Sequence, residues 1–217
     1  MIDVRAVLGV AIAALLLVGC GSLPGGGGAA DPTAASVSVQ QGDLPNGMVK
    51  CDVSGDMDAY LTQVQAKDPT HYAQIKQEWA DAKAKGATAG QVSVYSDSAD
   101  HCASFKGNTS SITSATYKLV VNFVIQFKDE ASAKSGYSSG GILGFNPSSL
   151  TNGGVPSKVG EQTGLGPNSI VVTLDVGGQN FYIAVWQKKK FMVILAVLNI
   201  DSATDAKVAA AESGRIK

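Results

Sequence analysis

Histidine is scarce in these 217 residues, with two copies; cysteine occurs three times, and charged side chains make up only 16%. Each shortage removes a class of function. Seventeen basic residues against eighteen acidic ones give a net charge of −1, so there is no basic stripe to neutralise phosphates, and no nucleic-acid partner is expected. The segment Gly136-Tyr137-Ser138-Ser139-Gly140 fits the nucleophile-elbow pattern G-x-S-x-G. That elbow needs a strand before it and a histidine after it, whereas here a helical pattern precedes and the last histidine is His101. No CxxC pair occurs, and no glycine-rich phosphate loop follows a predicted strand, so neither a redox dithiol nor a nucleotide cofactor is indicated. Asp97, Asp100 and His101 stand beside Cys102, but a hard cation wants more carboxylates and zinc wants a fourth ligand, so they read as loop-capping groups and no metal is expected. No catalytic residue emerges, and the chain reads as non-enzymatic.

A membrane-spanning run is also lacking. The longest apolar stretch at the N-terminus, Ala6 to Val18, has thirteen residues, short of the about 20 that cross a bilayer but right for the h-region of an export signal. It ends in Leu17-Val18-Gly19-Cys20, which resembles the lipobox of bacterial lipoprotein precursors. The resemblance implies cleavage after residue 19, diacyl and palmitate-type modification of Cys20, and a lipid-anchored location on the extracytoplasmic face of the cell membrane. The n-region departs from the pattern, because Asp3 offsets Arg5. An ordinary cleaved signal followed by a free cysteine is the competing reading.

With Cys20 assigned to the lipid, Cys51 and Cys102 remain, separated by fifty residues. An even pair in an exported chain reads as a disulfide, and closing a loop of that length is worth about 4 kcal/mol in the chain-entropy account. A metal or redox pair is the alternative, disfavoured by the spacing. Residues 20–46 are rich in Gly, Ala, Ser and Pro, with the run Gly25 to Gly28. They read as a flexible tether holding the domain about 25–30 Å from the bilayer, with Val37, Val39 and Leu44 able to add a short strand near its end.

The remaining residues, 47–217, read as one α+β domain in which helices pack on an antiparallel sheet. Met48 to Val53 is a short strand carrying Cys51. Ser54 and Asp56 offer N-caps to a helix ending near Ala66, with Met57, Tyr60, Leu61 and Val64 on one face. Asp68-Pro69 restarts the chain as a second helix, with Tyr72, Ile75, Trp79 and Ala82 at helical spacing, and Gly86 ends it. Gln91–Ser96 and Ala115–Phe127 are strands, a helical turn surrounds Cys102, and Asp129–Tyr137 is a helix. The stretch 138–168 reads as a long loop. Three strands follow, Ser169–Val176, Asn180–Gln187 and Phe191–Asn199, divided by Gly177-Gly178 and by Lys188 to Lys190. A capped helix from Asp201 to Ile216 closes the chain. The three lysines read as a solvated turn, or as a contact for anionic headgroups or a wall polymer.

Val120 to Ile125 and Phe191 to Leu198 are apolar at consecutive positions, so both faces of each strand must be covered. Either the strands are central and covered by other elements, or they enclose an apolar ligand cavity. Val159-Gly160-Glu161 leading into Ile170–Val176, then Ala184-Val185-Trp186-Gln187, Phe191-Met192-Val193-Ile194 and an Ala-rich last helix, resemble the PknH-like extracellular sensor domain. The likeness spans roughly the last 60 residues. It departs from that family at Glu161, where Asp is expected, and in having one disulfide for two. It implies an α+β domain with a cleft for an extracellular ligand and no catalysis. The expected function is therefore ligand binding or sensing at the cell envelope, with a small molecule, lipid or envelope polymer as partner; a carrier of lipids or glycolipids is the alternative.

Overall fold

The computed structural model describes residues 31–139, 147–152 and 154–217. The export signal and Cys20 lie outside them. The described chain opens with a single turn, α1 (Ala34–Val37), capped by Thr33. Two short strands follow, β1 (Val49–Lys50) and β2 (Gly55–Asp56), where a single strand over Met48–Val53 was expected. The break has a local cause. Ser54 is not a helix cap; its hydroxyl donates to the Val94 carbonyl and accepts from the Val94 N–H, standing in for a ladder residue between the two strands. Asp56 provides the cap of α2 (Met57–Lys67), and Asp68 caps α3 (Pro69–Ala84), which has Pro at its first position as expected.

β3 (Ala87–Ser96) leads to α4 (Ala99–Ser104) and α5 (Thr109–Thr113). β4 begins at Leu119, four residues later than expected, and ends at Phe127. α6 (Glu130–Ser138) then crosses β4 closely. A Cβ at Gly136 would lie 2.5 Å from the Phe127 ring, so the first glycine of the G-x-S-x-G match serves helix–sheet packing, and its serine lies within a helix. The expected long loop contains α7 (Pro147–Asn152) and β5 (Ser157–Val159). β6 (Ser169–Val176), β7 (Gln179–Lys188) and β8 (Phe191–Leu198) form the meander read from the sequence, with Gly177 and Gly178 both at positive φ in the first turn. In the second turn Lys189 takes φ 49°, while the Lys188 ammonium donates to the Ser213 carbonyl near the end of α8 (Ser202–Arg215).

All eight strands join one antiparallel sheet in the order β1-β3-β4-β8-β7-β6-β5, with β2 also on β3. The doubly apolar strands β4 and β8 are its centre, and each splits its side chains between two cores. Phe123, Ile125, Met192 and Ile194 face α2, α3 and α6. Val120, Val124, Val193 and Leu195 face α8 and the N-terminal segment. Cys51 and Cys102 are bonded, with Cα atoms 5.1 Å apart, within the range a disulfide tolerates. No helix among the described residues is long and apolar enough to cross a membrane.

The expected tether, residues 20–46, is corrected over its second half. Pro32 onward belongs to the compact unit, and Val37, Ser38 and Val39 are almost wholly buried. Burial of Ala34, Val37, Val39 and Leu44 gives this stretch an apolar anchor but leaves its backbone path open. The polar contacts decide it: Ser38 Oγ donates to Asn122 Oδ1 at 2.7 Å, the Val39 N–H donates to the same oxygen at 3.0 Å, and Tyr95 Oη donates to the Val39 carbonyl. Arg215 closes the segment from the other side, forming two parallel hydrogen bonds to Asp43 and donating to the carbonyls of Val37 and Ser38.

α8 also carries two acids into this core. Asp205 is fully buried, and neither carboxyl oxygen has a hydrogen-bond partner among the described residues. Burial first, and then the nearby Asp201 charge, push its carboxyl up to about 8. A folded-state value above the unfolded one means that the native protein holds a proton which the unfolded chain has released, so stability falls as pH rises between the two values. The slope from this group is about 1.4 kcal/mol per pH unit at most, over the window from about pH 4 to about pH 8. Asp205→Asn is expected to raise the urea midpoint at pH 8 and to remove most of that slope; urea unfolding of both proteins across pH 5–8 checks it, and parallel pH dependences contradict it.

Candidate functional site

The loop that follows α4 closes over the start of α3, and between them lies a cleft of about 440 Å³ bordered by Asp68, His71, Ser104, Lys106, Asn108, Ser111, Ser114, Ala115 and Tyr117. Its floor is built by the cap of α3. Asp68 Oδ1 accepts from the His71 backbone N–H, the ordinary capping bond, and Oδ2 accepts from His71 Nδ1 at 2.8 Å and from the Asn108 side-chain amide. The His71 backbone bond, followed by the Asn108 bond, holds the Asp68 carboxyl below its usual range. An ionised carboxylate only accepts, so it fixes a proton on His71 Nδ1, and in the neutral ring Nε2 then carries the lone pair.

The loop itself is fastened at several points. Phe105 is fully buried in the helical core. Lys67 donates to its carbonyl at 3.1 Å, and Tyr60 Oη donates to the Gly107 carbonyl at 2.6 Å. Gly107 sits at φ 73°, and a Cβ there would lie 2.7 Å from Val64 Cγ2, so the turn has room for glycine alone. Asn108 Oδ1 accepts from both the N–H and the hydroxyl of Ser111. Its amide and carbonyl are thus both engaged, and Asn108 is 6% exposed.

The far rim is aromatic. The His101 ring lies flat on Tyr117, with centroids 4.1 Å apart and planes 7° from parallel, while His101 Nδ1 is held by Asp97 Oδ1 at 2.6 Å. Burial works to raise the Asp97 carboxyl, but bonds from His101 and from the Lys118 N–H outweigh it and keep the group low. The structure therefore brings both histidines of the chain to one region, each oriented by an acid. Asp97 and His101, read as loop-capping groups, prove to be the backing of an aromatic wall; the cap of α4 is Ser98.

The cleft presents groups suited to hydrogen bonding and ring stacking. Ser104 Oγ donates to the His101 carbonyl, and Ser111 Oγ donates to Asn108, so neither hydroxyl is presented to His71 as a nucleophile. A second cleft, of about 500 Å³, lies between residues 164–168 and the β7–β8 turn. Three of its polar side chains are tied to neighbours, Asn168 donating to Gln187, Gln187 to the Lys189 carbonyl and Lys188 to Ser213, while Glu130, Glu161 and Lys189 also border it. The cleft at His71 differs in having its floor and rim held by two histidine–acid pairs and an aromatic stack, with Lys106 at its edge.

No known protein family and no curated protein matches the sequence. Among solved structures, the extracellular domain of PknH from Mycobacterium tuberculosis aligns with 84% of this chain and 94% of its own, at a TM-score of 0.47 and 12% identity. A likeness this loose assigns neither residue nor ligand.

Replacing Gly107 by Ala tests how the cleft loop is held. The positive φ and the Val64 contact together are expected to cost about 2 kcal/mol or more, seen as a lower urea midpoint at unchanged slope. An unchanged midpoint would show that the loop conformation is not fixed at this residue.

Proposed function

We propose that the chain is an exported lipoprotein, anchored through Cys20 on the extracytoplasmic face of the membrane, whose folded unit binds or senses an envelope ligand without transforming it. The observation that carries the binding half is the cleft at His71. Its floor, loop and rim are pre-ordered by internal hydrogen bonds, so a ligand would meet fixed groups and little ordering entropy would oppose it. The Cys51–Cys102 disulfide supports the address, because such bonds persist outside the reducing cytosol. The carrier reading draws on the doubly apolar strands, but their side chains are taken up by packing on both faces.

Two measurements test the two halves. Cys20→Ala is expected to abolish incorporation of a palmitate analogue and to move the protein from the detergent phase to the aqueous phase on phase separation; unchanged labelling would defeat the anchor. An organic and aqueous extract of the envelope, titrated into labelled protein, is expected to shift the His71 and Asn108 resonances. Shifts confined to the apolar core, with acyl chains co-purifying, would favour the carrier.

A further inference from the structure

We infer, building on the reading of the His71 cleft as the binding site, that its ligand is a neutral saccharide. Three ligand chemistries can be weighed against the groups present. An anion such as phosphate needs cations or a ring of free backbone N–H groups. Here Lys67 is committed to the Phe105 carbonyl, the Lys106 N–H donates to Ser111 Oγ, and the Ser111 N–H donates to Asn108. That leaves Lys106 Nζ as the cation at the cleft, opposed by the ionised Asp68 on the floor. An anion placed between the two meets repulsion from the carboxylate as well as attraction to the lysine. The cleft is therefore electrostatically neutral towards an ion and gives it no net attraction.

An apolar ligand fares worse. It would strip water from the Asp68 carboxylate, the His71 imidazole and the Lys106 ammonium while giving no hydrogen bond in return. A saccharide matches both halves of the surface. Its hydroxyls can donate to His71 Nε2, whose lone pair is fixed by the Nδ1–Asp68 bond, and accept from Lys106 Nζ. Its C–H face is suited to a flat aromatic wall, and Tyr117 is held as one by the parallel His101 ring behind it. Each histidine ring is held by an acid, His101 by Asp97 behind the rim and His71 by Asp68 on the floor, which is the pre-organisation that weak individual contacts require.

The test uses the full chain purified from membranes in a detergent without a sugar headgroup. Four probes are titrated by calorimetry and followed by NMR at His71 and Tyr117: a set of neutral oligosaccharides, a uronic-acid disaccharide, inorganic phosphate and a medium-chain fatty acid. A neutral oligosaccharide is expected to bind and to shift both residues. His71→Gln is expected to weaken it by about tenfold, or about 1.4 kcal/mol, Tyr117→Phe by less than about threefold, and Tyr117→Ala by more than about tenfold. Should Tyr117→Ala not fold, the His71→Gln and Tyr117→Phe pair carries the comparison. Binding of phosphate or the uronic acid in the cleft, abolished by Lys106→Ala, overturns the saccharide assignment and leaves the cleft as the site. If no probe and no envelope extract moves His71 or Tyr117, the site itself is overturned with it.

Discussion

The carboxamide of Asn122 is the group on which the layers of this protein depend. It lies at the middle of the central strand with no exposure to solvent, and each of its hydrogen-bonding positions is filled. Its oxygen accepts from Ser38 and Val39, and its nitrogen donates to the Ile194 carbonyl at 3.3 Å and to Glu212 Oε1 at 2.9 Å. One side chain thereby joins β4, β8, α8 and the N-terminal segment, and through Ser38 reaches Ser93 on β3 as well. A leucine in this place would pack in the apolar layer but would leave Ser38 and Glu212 without this partner in a dry core, where each unpaired group is costly. Burial raises the Glu212 carboxyl well above its usual range, and so favours its neutral form in this network, as Asn122 and Arg215 pull the other way.

The same principle recurs at the cleft, on the opposite side of the economy between order and solvent access. Asp68 and Asn108 use their valences on one another, on His71 and on Ser111, and so cannot collapse onto the groups that remain open. Tyr60 and Lys67, both from α2, hold the backbone of the covering loop from beneath. Cleft and core are thus connected through a helix whose apolar face, Met57, Tyr60, Leu61 and Val64, is packed against the sheet.

Where the local signal was strong, the architecture was legible in the sequence. The Asp56 and Asp68 caps, Pro69, the helical spacing of Ile75, Trp79 and Ala82, and the paired glycines 177 and 178 each specify backbone geometry within a few residues. The segment 33–44 was not legible, because its order comes from Asn122 and Arg215, which lie 83 and 178 residues away in the chain, and its composition is that of a linker. The cleft was hidden for a related reason. Asp68 announces a helix start, but nothing local says that Asn108 will reach it from forty residues on, or that His101 will settle on Tyr117. A usable hint lay in the capping pattern, which puts each histidine three residues after its N-cap.

The placement of Arg215 has a consequence for the order of events during synthesis. The segment it clamps leaves the ribosome first, whereas Arg215 lies 178 residues further along the chain and follows much later. Contacts of such long sequence separation form late, after the loop between them has been closed. Docking of residues 33–44 therefore reports that α8 has been made and is seated, so that a product lacking α8 would keep this stretch loose.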